Sequence, residues 1–458
     1  MNSFPGRVKR TGFVKDVLTN ESGKMLVLAG RVIGVVDGDG SAVAGIDLSE
    51  RGFILQDQSG KAFLKTDKLP NVGDVLEVVV EGDLVKNFIV LAGCEDFFIS
   101  PGVNGNSPNY KKMVIDERLR EVLLKRSQVI AGIREFFAKN AFVETDTPCL
   151  VKVPGMEPYL DVFKTKFFSE LSSETKFDQD MYLITSPEYA MKKLLVGGME
   201  KVFQITKSFR NKESFSDRHN PEFMILEWYR AFASYLEIMD DTENLVKFLW
   251  EKFGQRDVDG KLLNLFYKGK EVDLMAKWKR ISVLQAFEEY AHIDESTFFD
   301  LEKLRSAAKL RGYAVSDQAT FDDCFFTIFL NEIEPKLGEG IPVVLYDYPV
   351  SMAALSKRCD GDERFAERFE VYVGGLELCN AFTELNDPVE QERRLKQERE
   401  ERMALGKDLY EVDNTFIDAL KFGMPPSGGN ALGVDRLVML MLGESDIRNV
   451  LYFPMRDL

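Results

Sequence analysis

VFQITKSFRNKESFSDRHNPEFMILEWYR, residues 202–230, decides how the chain is read. Its opening, Val202 to Phe209, alternates apolar and polar residues with the period of a half-buried strand. From Pro221 onward, EFMILEWY is a second run rich in β-branched and aromatic residues. Between them lies a polar loop with Arg210, Lys212, Glu213, Arg218 and His219. Two antiparallel strands joined by such a loop aim cationic donors at something bound above a sheet. A flexible surface hairpin is the bland alternative, and it rarely sits between two runs this apolar.

At 458 residues the chain exceeds one ordinary domain, so two domains are expected. A formal charge of −16 argues against a protein whose main business is coating nucleic acid, although a local basic groove stays compatible with it. No run of 18 apolar residues occurs and MNSFPGRVKR holds no apolar signal core, so neither export nor membrane insertion is expected. The five cysteines stand apart with no CxxC pair, reading as reduced thiols of a cytoplasmic protein without a zinc site. With only His219 and His292 available, any metal should be a hard cation on carboxylates, which points to magnesium.

Residues 1 to about 24 read as a short helix or arm. MLVLAGRVIGVV, GFILQD, KAFLKT, DVLEVVVEG and NFIVLAGC then follow as short strands punctuated by GDG, SG and PNVGD. Five such strands suit a small OB-type β-barrel over 1–99. Phe53 and Gln56 in GFILQD offer a ring and an amide of the kind base recognition needs, but Phe53 reads equally well as barrel core. Residues 1–100 hold 11 Lys/Arg against 14 Asp/Glu, so no basic funnel is evident. SPGVNGNSPNY, Ser100 to Tyr110, is turn-rich, and a linker is expected over 100–116.

The remaining stretch, 117–458, reads as a catalytic domain. DERLREVLLKRSQVIAGIREFFAKN carries apolar residues at helical spacing. Thr185-Ser186-Pro187-Glu188 places a carboxylate at a strand-to-helix turn, where it either caps the helix or meets a ligand. Residues 231–340 read as mostly helical. Glu370, Glu377 and Glu384 stand seven apart in RFEVYVGGLELCNAFTELND, with Gly374-Gly375 marking a hairpin. Acids in so apolar a hairpin are costly to bury without magnesium, an ammonium group or both.

Three stretches carry a resemblance. Phe209-Arg210-Asn211, His219-Asn220-Pro221-Glu222-Phe223 and Glu227-Trp228-Tyr229 resemble motif 2 of class II aminoacyl-tRNA synthetases of the lysine type. VETDTPCL, Val143 to Leu150, looks like motif 1, and GGNALGVDRLVMLMLG, Gly428 to Gly443, looks like motif 3. The resemblance implies an α+β fold, a class II synthetase-type antiparallel sheet flanked by helices, with the OB-type barrel ahead of it. It also implies an ATP-dependent ligase using ATP and Mg2+, with a homodimer formed through motif 1 and a barrel that grips the anticodon.

By similarity, Arg210 binds the α-phosphate, Phe223 stacks on adenine, and Arg436 holds the γ-phosphate end. Asn211, Lys212, Glu213, His219, Asn220, Leu378 and Gly433 would complete the nucleotide site, and Glu370 and Glu377 would carry magnesium. Arg210, Arg436 and Glu377 are the expected catalytic residues. Ser186, Pro187, Glu188, Tyr229, Glu384 and Ala431 would form the amino-acid pocket, with Glu188 on the substrate amine and Glu384 and Tyr229 reading the distal ammonium. The loop departs from the family at Lys212, where an acid is usual, and is one residue longer, so Glu213 is the candidate for the acidic role.

The resemblance leaves the acceptor open. Lysyl-tRNA synthetases charge tRNA, whereas the elongation factor P–lysine ligases modify a lysine of that translation factor. TSPEYAMKKLL, HNPEFMILEWYR and YPVSMAALSK are closer to the second group, as is Ala431 where tRNA-charging relatives usually have glycine. Transfer of a lysine-type amino acid, α- or β-lysine, to elongation factor P is therefore the leading expectation. Charging of tRNA comes second, and a silent nucleotide- or RNA-binding paralogue third. The barrel cuts against the first, because the best-known factor-modifying ligases lack one.

Overall fold

The computed structural model describes residues 10–20, 23–36, 50–95, 108–172, 175–213, 215–353 and 355–457. It divides into two compact units, Met1–Arg120 and Glu121–Arg456. Of the expected arm, Val14–Thr19 forms a short 3-10 turn. Of the expected linker, residues 100–107 lie outside the described residues, and Asn109–Lys112 forms a single helical turn.

In the first unit, strands β1 (Met25–Val36), β2 (Gly52–Asp57), β3 (Gly60–Lys65), β4 (Val75–Glu81) and β5 (Leu84–Ala92) close into a barrel in the order β1-β2-β3-β5-β4. The alternation that marks them as strands also fills the barrel: Leu28 and Val32 of β1 and Leu76, Val78 and Val80 of β4 all point inward and are fully buried. Phe53 belongs with them. Its ring is fully buried and meets Phe88 edge-on at 6.0 Å, so the reading of Phe53 as a base-stacking ring gives way to a core role.

The second unit continues with β6 (Val143–Glu144), β7 (Leu150–Val151), β8 (Lys164–Ser172), β9 (Thr175–Leu183), β10 (Lys201–Phe209), β11 (Glu222–Ala231), β12 (Leu265–Tyr267), β13 (Lys270–Val272), β14 (Lys279–Ser282), β15 (Val343–Pro349), β16 (Phe365–Val373), β17 (Leu376–Thr383) and β18 (Ser427–Gly433). Eight of these form one sheet, ordered β14-β15-β16-β17-β18-β11-β10-β6. It is antiparallel except at its margins, where β14 runs parallel to β15 and β6 parallel to β10. Strands β12 to β14 interrupt a region expected to be helical; at three or four residues each they are too short to show a period of two.

One face of the sheet is sealed by helices. Leu226 and Trp228 of β11, Phe203 of β10 and Leu432 of β18 pack with Phe137, Leu249 and Trp250 in a single apolar cluster. Phe137 stacks on Phe203 with ring centroids 4.6 Å apart. The helix Tyr235–Phe253 is anchored by Ser234 and Glu237, which form a capping box. With this face closed, the alternate residues of β11, β17 and β18 project from the other.

Phe53→Ala should cost the barrel about 3–5 kcal/mol. The measurement is urea denaturation of the full chain followed by a probe in the barrel, where an unchanged midpoint would count against a core role.

Candidate active site

Strand β11 is the ruler of the open face. Its period of two sends Leu226 and Trp228 into the apolar core and leaves Phe223, Ile225, Glu227 and Tyr229 on the opposite side. A cavity of about 810 Å³ opens there, within the range of small-ligand sites. Phe223, Ile225 and Tyr229 line it, as do Arg210, Glu213, His219, Asn220, Leu378, Gly433 and Arg436 from the expected nucleotide set. Ser186, Pro187, Glu188, Glu384 and Ala431 line it too, together with Glu370 and Glu377. Asn211 and Lys212 are not among the lining residues. The Asn211 backbone bridges to Asp161 and its amide donates to Val162 O at 3.3 Å, while Lys212 turns out to Asp161 at 3.3 Å with φ at 58°. The loop departure at Lys212 thus removes its side chain from the cavity, and Glu213 stays.

The cavity is cationic at the Phe223 end of β11. Arg210 begins the loop after β10, its N–H bound to Pro221 O, and its guanidinium lies 5.0 Å from the centre of the Phe223 ring. The Arg210 Nε is buried without a hydrogen-bond partner. Arg436, three residues after Gly433, donates to Glu377 O at 2.9 Å and contacts Glu377 Oε2 at 3.3 Å. It also meets His219 Nε2 at 2.8 Å. Burial and the adjacent Arg436 push the His219 imidazole below its ordinary pKa, so the neutral ring accepts from Arg436. Its Nδ1–H then donates to Ser216 Oγ at 2.8 Å.

The glutamates of the β16–β17 hairpin differ in their freedom. Gly374 and Gly375 turn the chain with φ of 59° and 78°, both in the left-handed region that a two-residue hairpin of this kind requires. Tyr372 pairs with Glu377 and Glu370 with Asn380, so all four share a face. Glu370 is held on both oxygens, by Arg368 at 2.7 Å and the Tyr372 hydroxyl at 2.6 Å. Glu377 is the more accessible, with 38% of its side chain exposed. Among the described residues no group of three or more His, Cys, Asp or Glu is arranged to hold a metal alone. Two carboxylates are a hard-oxygen set that fits magnesium only if phosphate oxygens complete the shell.

At the Tyr229 end the cavity is acidic. Glu188 opens the helix Glu188–Val196, where Pro187 supplies no side-chain cap and the Glu188 N–H bonds to Ser186 Oγ at 3.1 Å. Glu227 is fully buried and accepts from Ser186 Oγ at 2.5 Å and the Tyr229 hydroxyl at 2.9 Å. Glu384, at the end of β17, is 2% exposed. Burial and the neighbouring Glu188 raise the Glu227 carboxyl to about 8, against the pull of its two hydroxyl donors. Burial likewise lifts Glu384 to about 7, with Lys192 pulling it down and Glu188 pushing it up. Glu227 escaped the sequence reading as a site residue, although it stands in the same period-of-two row as Phe223 and Tyr229.

The floor between these acids is shaped by β18. Gly429 pairs with Tyr229 and Phe382, and Ala431 with Glu227 and Asn380. A Cβ on Gly429 would overlap both Glu384 Oε1 and the Tyr229 ring, so glycine is required for close approach rather than for its φ.

With this geometry in view, comparison with known proteins is decisive about kinship. The family model of class II tRNA synthetases (D, K and N) matches residues 107–457. The chain belongs to that family. A lysine–tRNA ligase of Magnetococcus marinus is 37% identical over 350 residues, 75% of this chain and 66% of the relative's length. One from Clostridium perfringens is 33% identical over 98% of this chain and 90% of its own, and one from Thermoanaerobacter pseudethanolicus 32% over 98% and 91%. These are names of tRNA-charging ligases, and they do not bear out the expected closer likeness to the factor-modifying group. As a class II synthetase-family chain it has the expected α+β architecture, with the antiparallel sheet and the barrel ahead of it.

Two outcomes follow from the acidic end. Glu227 and Glu384 bind protons more tightly folded than unfolded, so the stability they contribute is present below about 4.5 and is lost as pH rises through 7 to 8. Glu227→Gln should flatten the fall of Tm between pH 5.5 and 8.5 and raise Tm on the order of 2 °C at the upper end. Calorimetry across that range reads this, and parallel curves would place Glu227 ionised at neutral pH. Gly429→Ala should cost about 1–3 kcal/mol through overpacking, measured by chemical denaturation.

Proposed function

We propose that the chain activates a lysine-type amino acid with ATP and transfers it to tRNA. The observation that carries this reading is one cavity with a guanidinium-rich end and a carboxylate-rich end, joined along β11 from Phe223 to Tyr229. Six strand steps separate them, about 20 Å, room for a nucleotide laid against a small amino acid. The acidic end suits an amino acid with two ammonium groups, and the cationic end suits phosphates.

In the reaction, an oxygen of the substrate carboxylate attacks the α-phosphorus, the bond to pyrophosphate breaks, and an aminoacyl-adenylate forms. Arg210 and Arg436 stabilise the charge that spreads over the phosphate oxygens. Phe223 offers its ring to the adenine and Gly433 a close approach of backbone. Glu370 and Glu377 would hold magnesium, which supplies charge neutralisation on the phosphates when bound. Glu384, Glu227 and Tyr229 orient the distal ammonium and Glu188 the other amine, so that positioning supplies the rest.

The barrel and the extent of likeness to lysine–tRNA ligases favour tRNA as acceptor. The five free thiols suit a reducing, cytoplasmic setting, and among the described residues no helix is long and apolar enough to cross a membrane. Exposed Leu124, Val143 and Leu150 around motif 1 support pairing with a second copy. A protein acceptor with a β-lysine substrate is the second reading, favoured by Ala431, whose methyl lies between Glu227 and Asn380 where a pocket for α-lysine would gain from glycine. One methyl discriminates by about 1–3 kcal/mol.

The test is ATP–pyrophosphate exchange with α-lysine, β-lysine and norleucine, then transfer to tRNA or elongation factor P side by side. Exchange with lysine should exceed that with norleucine by roughly 10⁴-fold, because norleucine leaves buried acids unpaired, and tRNA should be charged. A mass gain on the factor without charging of tRNA selects the second reading; no exchange with either isomer leaves a silent paralogue.

A further inference from the structure

The acidic end of the cavity contains a cation of its own. Lys192 stands one helical turn after Glu188, its side chain fully buried. The Lys192 Nζ lies 2.5 Å from Glu188 Oε1, forms an ion pair with Glu384 Oε2, and sits 5.9 Å from the centre of the Phe416 ring. It is not among the residues lining the cavity, whereas Glu188 and Glu384 are. The ammonium therefore grips both carboxylates from behind the wall that they present. Glu384 keeps Oε1 without any hydrogen-bond partner among the described residues, and its contact with Lys192 is an ion pair lacking hydrogen-bond alignment.

We propose that Lys192 is the resident counter-ion of the amino-acid pocket, a positioning residue that holds the Glu188 and Glu384 carboxylates together behind the cavity wall and favours their ionised form for the ammonium groups of a diamino acid. This deepens the reading of a lysine-activating site and rests on it. Removing either partner of a buried ion pair leaves the other uncompensated, so the lysine and its two carboxylates hold their geometry jointly. The groups facing this cluster are Glu157, Glu227 and Glu398, the phenols of Tyr189 and Tyr229, and Arg210 beyond Glu157. Burial alone pulls the Lys192 ammonium toward neutrality, but the charges of Glu188 and Glu384 override it and leave its pKa raised, so the residue stays charged through neutral pH.

The experiment compares wild type, Lys192→Met and Lys192→Arg in the full chain. It follows lysine-dependent ATP–pyrophosphate exchange from pH 6 to 9, with an ATP thermal-shift control for folding. In Lys192→Met a proton must replace the missing cation, so the rising limb of kcat/KM for lysine should move up by on the order of one pH unit. ATP binding should persist, and Lys192→Arg should keep the wild-type limb even at reduced rate. An unmoved limb in Lys192→Met, with only a uniform loss of rate, overturns the proposal and makes Lys192 a structural filler. If Lys192→Met does not fold, an alkaline shift in Lys192→Arg as well overturns it, because the charge is then not what counts. Absence of exchange in the wild type overturns the underlying reading of the site instead.

Discussion

Three carboxylates gathered beside one buried ammonium are the constraint from which the rest of this unit is best understood. Glu188, Glu227 and Glu384 come from a helix start, the middle of one strand and the end of another; Glu227 and Glu384 are withdrawn from water, and Glu188 keeps an edge open to the cavity. Isolated charges of that kind are too costly to bury, and the protein answers in two ways: Lys192 supplies a cation, and burial raises two of the carboxyls until they hold protons near neutrality. Neither answer is complete, and the residual charge faces the cavity.

The sheet makes this arrangement rigid. Core residues on the helix side of β10, β11 and β18 lock the register, and a slip by one residue would exchange Trp228 for Glu227 across the sheet. Site geometry and core packing are thus enforced by the same hydrogen-bond ladder. The cationic end is built differently, from a loop and a helix start, where Arg436, His219 and Glu377 brace one another through side chains. Such an end is suited to adjust to a polyphosphate, whereas the acidic end is suited to measure a short side chain.

Much of this was legible in the residues themselves. The alternation in 202–209 and after Pro221, the turn at Gly374-Gly375 and the five barrel strands all appear where their periods place them. Short elements such as β12 and β13 escaped because three residues carry no period. Phe53 was ambiguous because a ring that closes a barrel and a ring that stacks on a base look alike in one dimension. Lys192 was invisible for a deeper reason: a lysine on an amphipathic helix reads as solvated surface, and only the tertiary meeting of that helix with the end of β17 makes it interior.

The absent side chain at Gly429 bears on how such a pocket can change over generations. Its position is closed to any larger residue as long as Glu384 and Tyr229 lie across it, while Ala431, two residues along the same strand face, already shows that a methyl can be borne there. Drift in substrate preference within this lineage therefore has one open door and one shut, and divergence between related ligases should accumulate at the former.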